Sequence, residues 1–396
     1  MKHALLIGLY LILSFSLFGL RSAQVERVSL IICGPGKEIY ELEGHTALRL
    51  QFDDGKDISV NWGTFDFNSP NFIYRFVKGE TDYMMAVYPF SSFYNQYQRE
   101  GRWMNEYELN LTPKEMNQLA WLIDSTQVLG SPVYRYNYVK DNCATRPVDY
   151  IRKAIGRPVY LGSETGIEEP TGTFRQDMTY YHRNYPWYQF GIDLALGSGI
   201  DYEIENEEHY FAPVAMEKMI AGAYITDSIG VLKPLVKNSA NLLTENGGGP
   251  AETTPFYFTP LFVCWLFFLI ALVICLHDWK VEQVTRWFHC LYYSLASLAG
   301  LLLTFLIFVS VHESTSPNWL YLWLNPLCLI GAVFIWIKTL WKAVFYWQIL
   351  NFVALAALSV ISLCGVQFLN PAFIPLIAAD VILSLTWLNS VRWKKG

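Results

Sequence analysis

Through residue 249 the chain alternates short apolar stretches with polar and aromatic ones, and from Pro255 onward it becomes a series of long apolar runs. In the first part, residues 28–33 read as a strand that ends in the buried Cys33, just before Gly34-Pro35-Gly36. Residues 45–52 read as a second strand, with Ala47 and Arg49 alternating against Leu48 and Leu50. Residues 57–65 form a third, after an Asp53-Asp54-Gly55 turn. A short helix is predicted at 71–77 and strands at 83–88 and 102–111. Thr112-Pro113-Lys114-Glu115 then supplies an N-cap, a proline at the first helical position and a capping-box glutamate for a helix to about Val128. Asn142 caps the helix that carries Cys143 and closes at Gly156. Residues 159–199, rich in Gly, Tyr and Trp, predict a loop-dominated lobe with one short helix near 174–181, and 213–224 predict another helix. Residues 238–254, which hold Gly247-Gly248-Gly249-Pro250, read as a linker.

Five membrane spans are expected after it, at 256–276, 288–310, 319–337, 344–366 and 372–389, each near the roughly 20 residues a bilayer requires. Lys280, Arg286, Lys338, Lys342 and the Arg392, Lys394, Lys395 tail alternate with two loops, 311–318 and 367–371, that lack Lys and Arg. By the positive-inside rule the soluble domain is outside and the C-terminus cytoplasmic. Met1-Lys2-His3 and the apolar stretch 4–20 read as a secretory signal cut near Ser22-Ala23, or as an uncleaved anchor, since Arg21 is a poor neighbour for cleavage. Either way the domain is exported. The expected division is therefore 1–23 signal or anchor, 24–237 catalytic domain, 238–255 linker and 256–396 membrane domain.

A net charge of −6 with no basic cluster in the exported part excludes a nucleic-acid partner. Of seven cysteines, five lie in or beside the apolar runs and serve as small hydrophobes. The other two, Cys33 and Cys143, are permitted a disulfide by an oxidising compartment, which would silence Cys143. No Cys/His spacing suggests a metal and no glycine-rich loop suggests a phosphate cofactor, so no metal and no cofactor are expected.

Cys143, placed at a helix start among Asp141, Asn142 and Arg146, is the candidate nucleophile, since free amides and the helix dipole there favour thiolate. His45, at the mouth of a strand, is the candidate base. His182, in the aromatic run 180–185, reads as packing, and His209, after the acidic stretch 203–208, as part of a solvated face. Asn61 is the preferred third group to orient the imidazole, with Asp66 as the alternative. Asp380 lies mid-span and either marks a functional site or pairs with a buried group such as Asn351. His312-Glu313 and Asn318 read as a solvated outer loop that faces the domain.

Gly44-His45-Thr46-Ala47, Asn61-Trp62-Gly63-Thr64-Phe65-Asp66-Phe67, Asp141-Asn142-Cys143-Ala144-Thr145-Arg146, Thr173-Phe174-Arg175 and Trp187-Tyr188-Gln189-Phe190-Gly191-Ile192-Asp193 carry a resemblance. The pattern is similar to the circularly permuted NlpC/P60 papain-like group and, over nearly the whole chain, resembles the Bacteroides-type lipoprotein N-acyltransferases, a DUF4105 periplasmic domain joined to C-terminal helices. The resemblance implies an α+β, circularly permuted papain-like catalytic domain in the periplasm and five spans in the inner membrane. It implies Cys143 as nucleophile and His45 as base, with an acyl chain moved from a membrane phospholipid through a thioester to the N-terminal amine of a diacylated lipoprotein. Arg146 and Arg175 are the residues expected to meet the phosphate head group. A cell-wall amidase or peptidase of the NlpC/P60 type, or a phospholipase, would use the same pair, and a non-catalytic assembly module would have Cys143 in a disulfide.

Overall fold

The computed structural model describes residues 23–128, 132–162, 172–226, 230–250 and 252–393, and the expected signal or anchor segment lies outside them apart from Ala23. The N-terminal part is built on a seven-stranded antiparallel sheet. Its strands are β1 Val25–Cys33, β2 His45–Phe52, β3 Asp57–Thr64, β4 Tyr83–Pro89, β5 Met104–Leu109, β6 Val133–Tyr134 and β10 Val236–Leu243, in the order β10-β5-β1-β2-β3-β4-β6. A small sheet of β7 Val159–Tyr160, β8 Tyr224–Thr226 and β9 Leu232–Pro234 stands apart. The helices of this part are α1 Phe72–Lys78, α2 Phe90–Glu100, α3 Pro113–Val128, α4 Thr145–Ile155, α5 Phe174–Tyr181, α6 Pro186–Ala195 and α7 Pro213–Ile220.

Period-two alternation sorts the sheet's two faces. Leu30, Ile32, Leu48, Leu50, Val60 and Trp62 turn one way, onto α3, α4 and α7 through Leu119, Ile151 and Met219. Each such side chain, fully buried, stabilises by about 1.5–3 kcal/mol. Ile31, Cys33 and Ala47 turn the other way, onto Phe90, Phe93 and Tyr97 of α2. The β1–β2 register sets Cys33 opposite His45, and the β2–β3 ladder begins at the pair Ala47–Asn61.

Two expectations are corrected here, and a stretch for which the sequence predicts no element proves helical. The linker at 238–254 is partly β10, a polar edge strand held to β5 by bonds such as Asn241 Nδ2 to Asn105 Oδ1 (2.9 Å). Its remainder is docked as well, for the amides of Asn246 and Gly248 donate to Gly101 O. The lobe at 159–199 holds the additional helix α6, and 90–100 forms α2, whose Phe90, Phe93 and Tyr97 share one buried face.

The C-terminal part contains α8 Pro260–Val281, α9 Arg286–Phe308, α10 Cys328–Val333, α11 Trp341–Leu363 and α12 Phe373–Trp393. Among the described residues four helices are long and apolar enough to cross a membrane, not five. The expected span at 319–337 is broken into a 3-10 turn Trp319–Leu322, the short α10 and a second 3-10 turn Phe334–Trp336. Asn325-Pro326 interrupts it: Asn325 Oδ1 accepts from Leu327 N (3.1 Å), and the residue before a proline is disfavoured in helix. The unwound backbone presses on α9 at Gly300, where a Cβ would come within 2.5 Å of Asn325. Irregular backbone at membrane depth is tolerated where protein covers it in this way.

Asp380 on α12 is buried and accepts from Asn351 Nδ2 (2.8 Å) and the Tyr293 hydroxyl (3.0 Å), so the pairing with Asn351 is the observed arrangement.

The N-terminal domain rests on one end of these helices. Val311 N donates to Lys78 O (2.8 Å), His312 Nε2 bonds Phe76 O (2.9 Å) and Asn137 Nδ2 donates to Glu313 Oε2 (3.1 Å). Asn318 Nδ2 donates to Leu194 O (3.0 Å), and Asn370 Nδ2 to Asp193 Oδ2 (2.7 Å). His312, Glu313 and Asn318 are thus docking residues rather than a solvated loop.

Candidate active site

Gly44 turns the chain into β2 at φ +82°, against Cys33 O, where any Cβ would collide. His45 follows as the first residue of the strand. Its Nε2 lies 3.1 Å from Asn61 Oδ1, while Asn61 Nδ2 donates to Ser59 Oγ (3.2 Å). The amide is thereby oriented with its oxygen toward the ring, so Nε2 carries the hydrogen and Nδ1 keeps the lone pair. Asn61 is 4% exposed. Burial lowers the His45 pKa to about 4, with the Asn61 bond opposing the shift and the Arg102 charge adding to it.

Cys143 arrives from the other side of the sheet's end, on the turn before α4. Asn142 builds that turn: its Oδ1 accepts from the amides of Ala144 (2.8 Å) and Thr145 (3.0 Å), and its own amide donates to Thr145 Oγ1 (2.8 Å). Asn142 Nδ2 donates to Tyr138 O and Phe211 O, which ties the turn to the neighbouring lobe. Gly63, whose φ of +88° favours glycine, lies against this turn: a Cβ there would crowd the Tyr136 ring at 3.2 Å and stand in ordinary contact, 3.8 Å, with Cys143 Cβ. The thiol receives the backbone N–H of Thr46, the residue after His45 and the one before the β2–β3 ladder begins. Tyr136 Oη donates to Cys143 Sγ at 3.9 Å. Cys143 is a half-buried free thiol, and so is unpaired with Cys33, which is itself free and fully buried.

The expected thiolate is not the resting state. Burial pushes the Cys143 pKa up to about 11, against the lowering bonds from Tyr136 and Thr46, and the Glu43 carboxylate adds to the rise. The helix-start amides that would have favoured the anion are taken by Asn142.

The structure brings Cys143, His45 and Asn61 to one end of the sheet and leaves the other expected groups elsewhere. Asp66 is exposed and only shapes its own turn, accepting from Asn68 N (2.8 Å). Arg146 is held bidentate by Asp141 (2.5 and 2.7 Å) and lies over the Tyr134 ring at 3.6 Å, with 23% of its side chain exposed. Arg175 is 1% exposed and fully engaged by Asp193, Asp201, Leu196 O and Gly197 O, so it has no face to offer a head group and holds α5 to α6. His182 is buried, as its aromatic setting predicts, against Gln189 Oε1 (2.8 Å) and Tyr138. His209 is not on a solvated face; it is buried 2.5 Å from Asp177 Oδ2. Sequence reasoning missed Tyr136, Glu43 and the Thr46 amide. Tyr138 Oη donates to Glu43 Oε1 (2.9 Å), which fixes that carboxylate within electrostatic reach of the thiol.

A family model of the Lnb N-terminal periplasmic domain matches residues 14–178, and one of the Lnb transmembrane domain matches residues 251–394. The chain belongs to the Lnb family. Lnb proteins are the Bacteroides-type lipoprotein N-acyltransferases to which the motifs point, and the two domains follow in the expected order over more than three quarters of the chain. No curated protein and no solved structure matches it. An Lnb chain with these two domains is a membrane-bound enzyme with a periplasmic domain, and both Cys143 and His45 fall within the matched N-terminal domain.

Proposed function

We propose that the protein is a lipoprotein N-acyltransferase of the inner membrane, with Cys143 as nucleophile, His45 as base and Asn61 as the group that orients the ring. The reading is carried by one observation: a thiol that receives the Thr46 amide and the Tyr136 hydroxyl, at the end of the strand whose first residue, His45, is held by Asn61 with Nδ1 free, on a domain seated at the ends of apolar helices. In the first step His45 Nδ1 takes the thiol proton as sulfur attacks a phospholipid ester carbonyl. Thr46 N–H and Tyr136 Oη, already directed at the sulfur, steady the developing oxyanion. The ester C–O bond then breaks, the imidazolium returns its proton to the leaving lysophospholipid, and an acyl thioester remains.

In the second step the N-terminal amine of a diacylated lipoprotein attacks the thioester. Glu43 receives the incoming ammonium, which gives one proton to solvent to become the attacking amine; His45 takes the second proton as the amide forms and hands it to the sulfur as the C–S bond breaks, which restores the thiol. Neither step needs a cofactor or metal. The docked loops 311–318 and 367–371 lie on the domain's side of the membrane, and the basic residues Lys280, Arg286, Lys338 and Lys342 lie toward the other, which supports a cytoplasmic C-terminus.

Purified full-length protein supplied with phospholipid and a diacylated lipopeptide should yield N-acylated lipopeptide and lysophospholipid in equal amounts, through a hydroxylamine-sensitive acyl group on Cys143. Free fatty acid as the sole product would replace this reading with a phospholipase, and cleaved wall peptides without lipid change would replace it with an amidase.

A further inference from the structure

The helix α1 buries none of its residues. Ile73 is 78% exposed, and Tyr74, Phe76 and nearby Phe67 are also exposed. A soluble domain rarely leaves such a cluster bare without a partner for it. The cluster is continuous with an interface already described, since α1 joins the end of the membrane helix α9 through Tyr74 and Phe305 (ring centroids 6.0 Å) and through Lys78 O. The adjoining end of α9 is likewise exposed and apolar at Phe308, Val309 and Val311. These features place α1 at the level where the bilayer begins.

From α1 a chain of rings leads inward. Phe76 contacts Phe72 (5.9 Å), Phe72 stacks on Phe65 (5.6 Å, 10° between planes), Phe65 meets Tyr83 (5.2 Å), and Tyr83 stacks on Tyr136 (4.6 Å). Tyr136 is the ring whose hydroxyl reaches Cys143 Sγ. Phe72, Phe65, Tyr83 and Tyr136 are all half-buried, each with part of its surface open. The charges at the entrance are already neutralised, Arg75 by Asp82 (2.6 Å) and Lys78 by Glu80 (2.8 Å). The surface is therefore suited to hydrocarbon rather than to an anionic head group.

We propose that Phe72, Phe65, Tyr83 and Tyr136 form the track along which a long acyl chain of a bilayer phospholipid runs to Cys143, with α1 as its membrane-side lip. The proposal rests on the acyltransferase reading and adds to it the determinant of chain length. Chain methylenes against the rings replace contacts with lipid tails, so the track gains by shape and by holding the ester carbonyl at the sulfur rather than by charge.

The test uses the full-length protein in phospholipid nanodiscs and in detergent. Cys143 acylation is followed by intact mass, from a palmitoyl phospholipid and from a water-soluble acetyl ester, for wild type, Phe72→Ala and Phe65→Ala. The ratio of long-chain to short-chain acylation should fall about tenfold in either variant, because the lost ring contact is felt only by the long chain. A phospholipid with a diazirine along its acyl chain should also crosslink to Phe65, Phe72 or Tyr83 in the unmutated protein, which covers the case of a variant that fails to fold. An unchanged ratio, or crosslinks confined to other segments, with wild-type palmitoylation intact, would overturn the track and leave the thioester reading standing. Absence of palmitoyl from wild-type Cys143 would overturn the acyltransferase reading and the track with it.

Discussion

Alkylation of Cys143 across pH should reveal a neutral thiol and a neutral imidazole, not a preformed ion pair. The thiol titrates at about 11 and His45 at about 4. A raised acid pKa means that the proton stays on sulfur, and a lowered base pKa means that none is held on the ring, so both groups are uncharged at neutral pH. Near pH 7 only about one molecule in ten thousand carries the thiolate, roughly a hundredfold fewer than for the ordinary value of 9.0. The more basic thiolate is intrinsically more nucleophilic, with a Brønsted slope of about 0.4–0.5, which recovers about tenfold. Iodoacetamide should then react about tenfold more slowly than with an ordinary exposed cysteine, and its rate should climb about tenfold per unit between about pH 6 and 9. Peptide-level mass spectrometry separates Cys143 from the exposed Cys364. The variant His45→Ala should keep the slope, because the ring is uncharged throughout, while losing acyl transfer. A rate that is flat from about pH 5 to 8, as a thiolate–imidazolium pair gives, would refute the argument.

Three further outcomes follow from the geometry. Asn61→Ala should lower kcat about ten- to a hundredfold with little change in KM, since the ring loses its orientation rather than its substrate contacts; an unchanged kcat would remove Asn61 from the site. Glu43→Gln should leave the Cys143 thioester forming but slow its transfer to the lipopeptide amine, so that acyl-enzyme accumulates; equal loss of both steps would contradict an amine-receiving role. Arg175→Met should destabilise the N-terminal domain by about 3–5 kcal/mol, because Asp193 and Asp201 lose a buried partner, and should appear as a lowered Tm with little change in KM for phospholipid.

What the sequence disclosed follows from how local each signal is. His45, at the start of an alternating strand, and Asn61, on the next strand with the same facing, were both legible because register follows from alternation. The turn built by Asn142 was legible too, although the helix itself begins two residues beyond Cys143, at Thr145; its consequence was not, because the dipole argument assumed amides that the Asn142 side chain itself occupies. Tyr136 and the Thr46 amide depend on a loop crossing the sheet's end, a tertiary fact without local pattern. Arg175 in its motif reads the same whether exposed or buried, and only the fold brings Asp193 and Asp201 to it. The edge strand β10 lacks alternation because its residues are mostly exposed. The break at Asn325-Pro326 did leave a mark in the sequence, but within a run of apolar residues hydropathy outweighed it.

The segment between β10 and the first membrane helix has a consequence of a different kind. Gly248 lies so close to Glu100, Gly101 and Arg102 that no side chain fits there, and Asn246 and Gly248 share the carbonyl of Gly101. The domain is separately fastened to the outer ends of the helices by Asn137, Asn318 and Asn370. The two parts are therefore joined by these bonds as well as by the covalent chain. The height of Cys143 over the ends of the helices is then set by these fastenings and not by the reach of a leash.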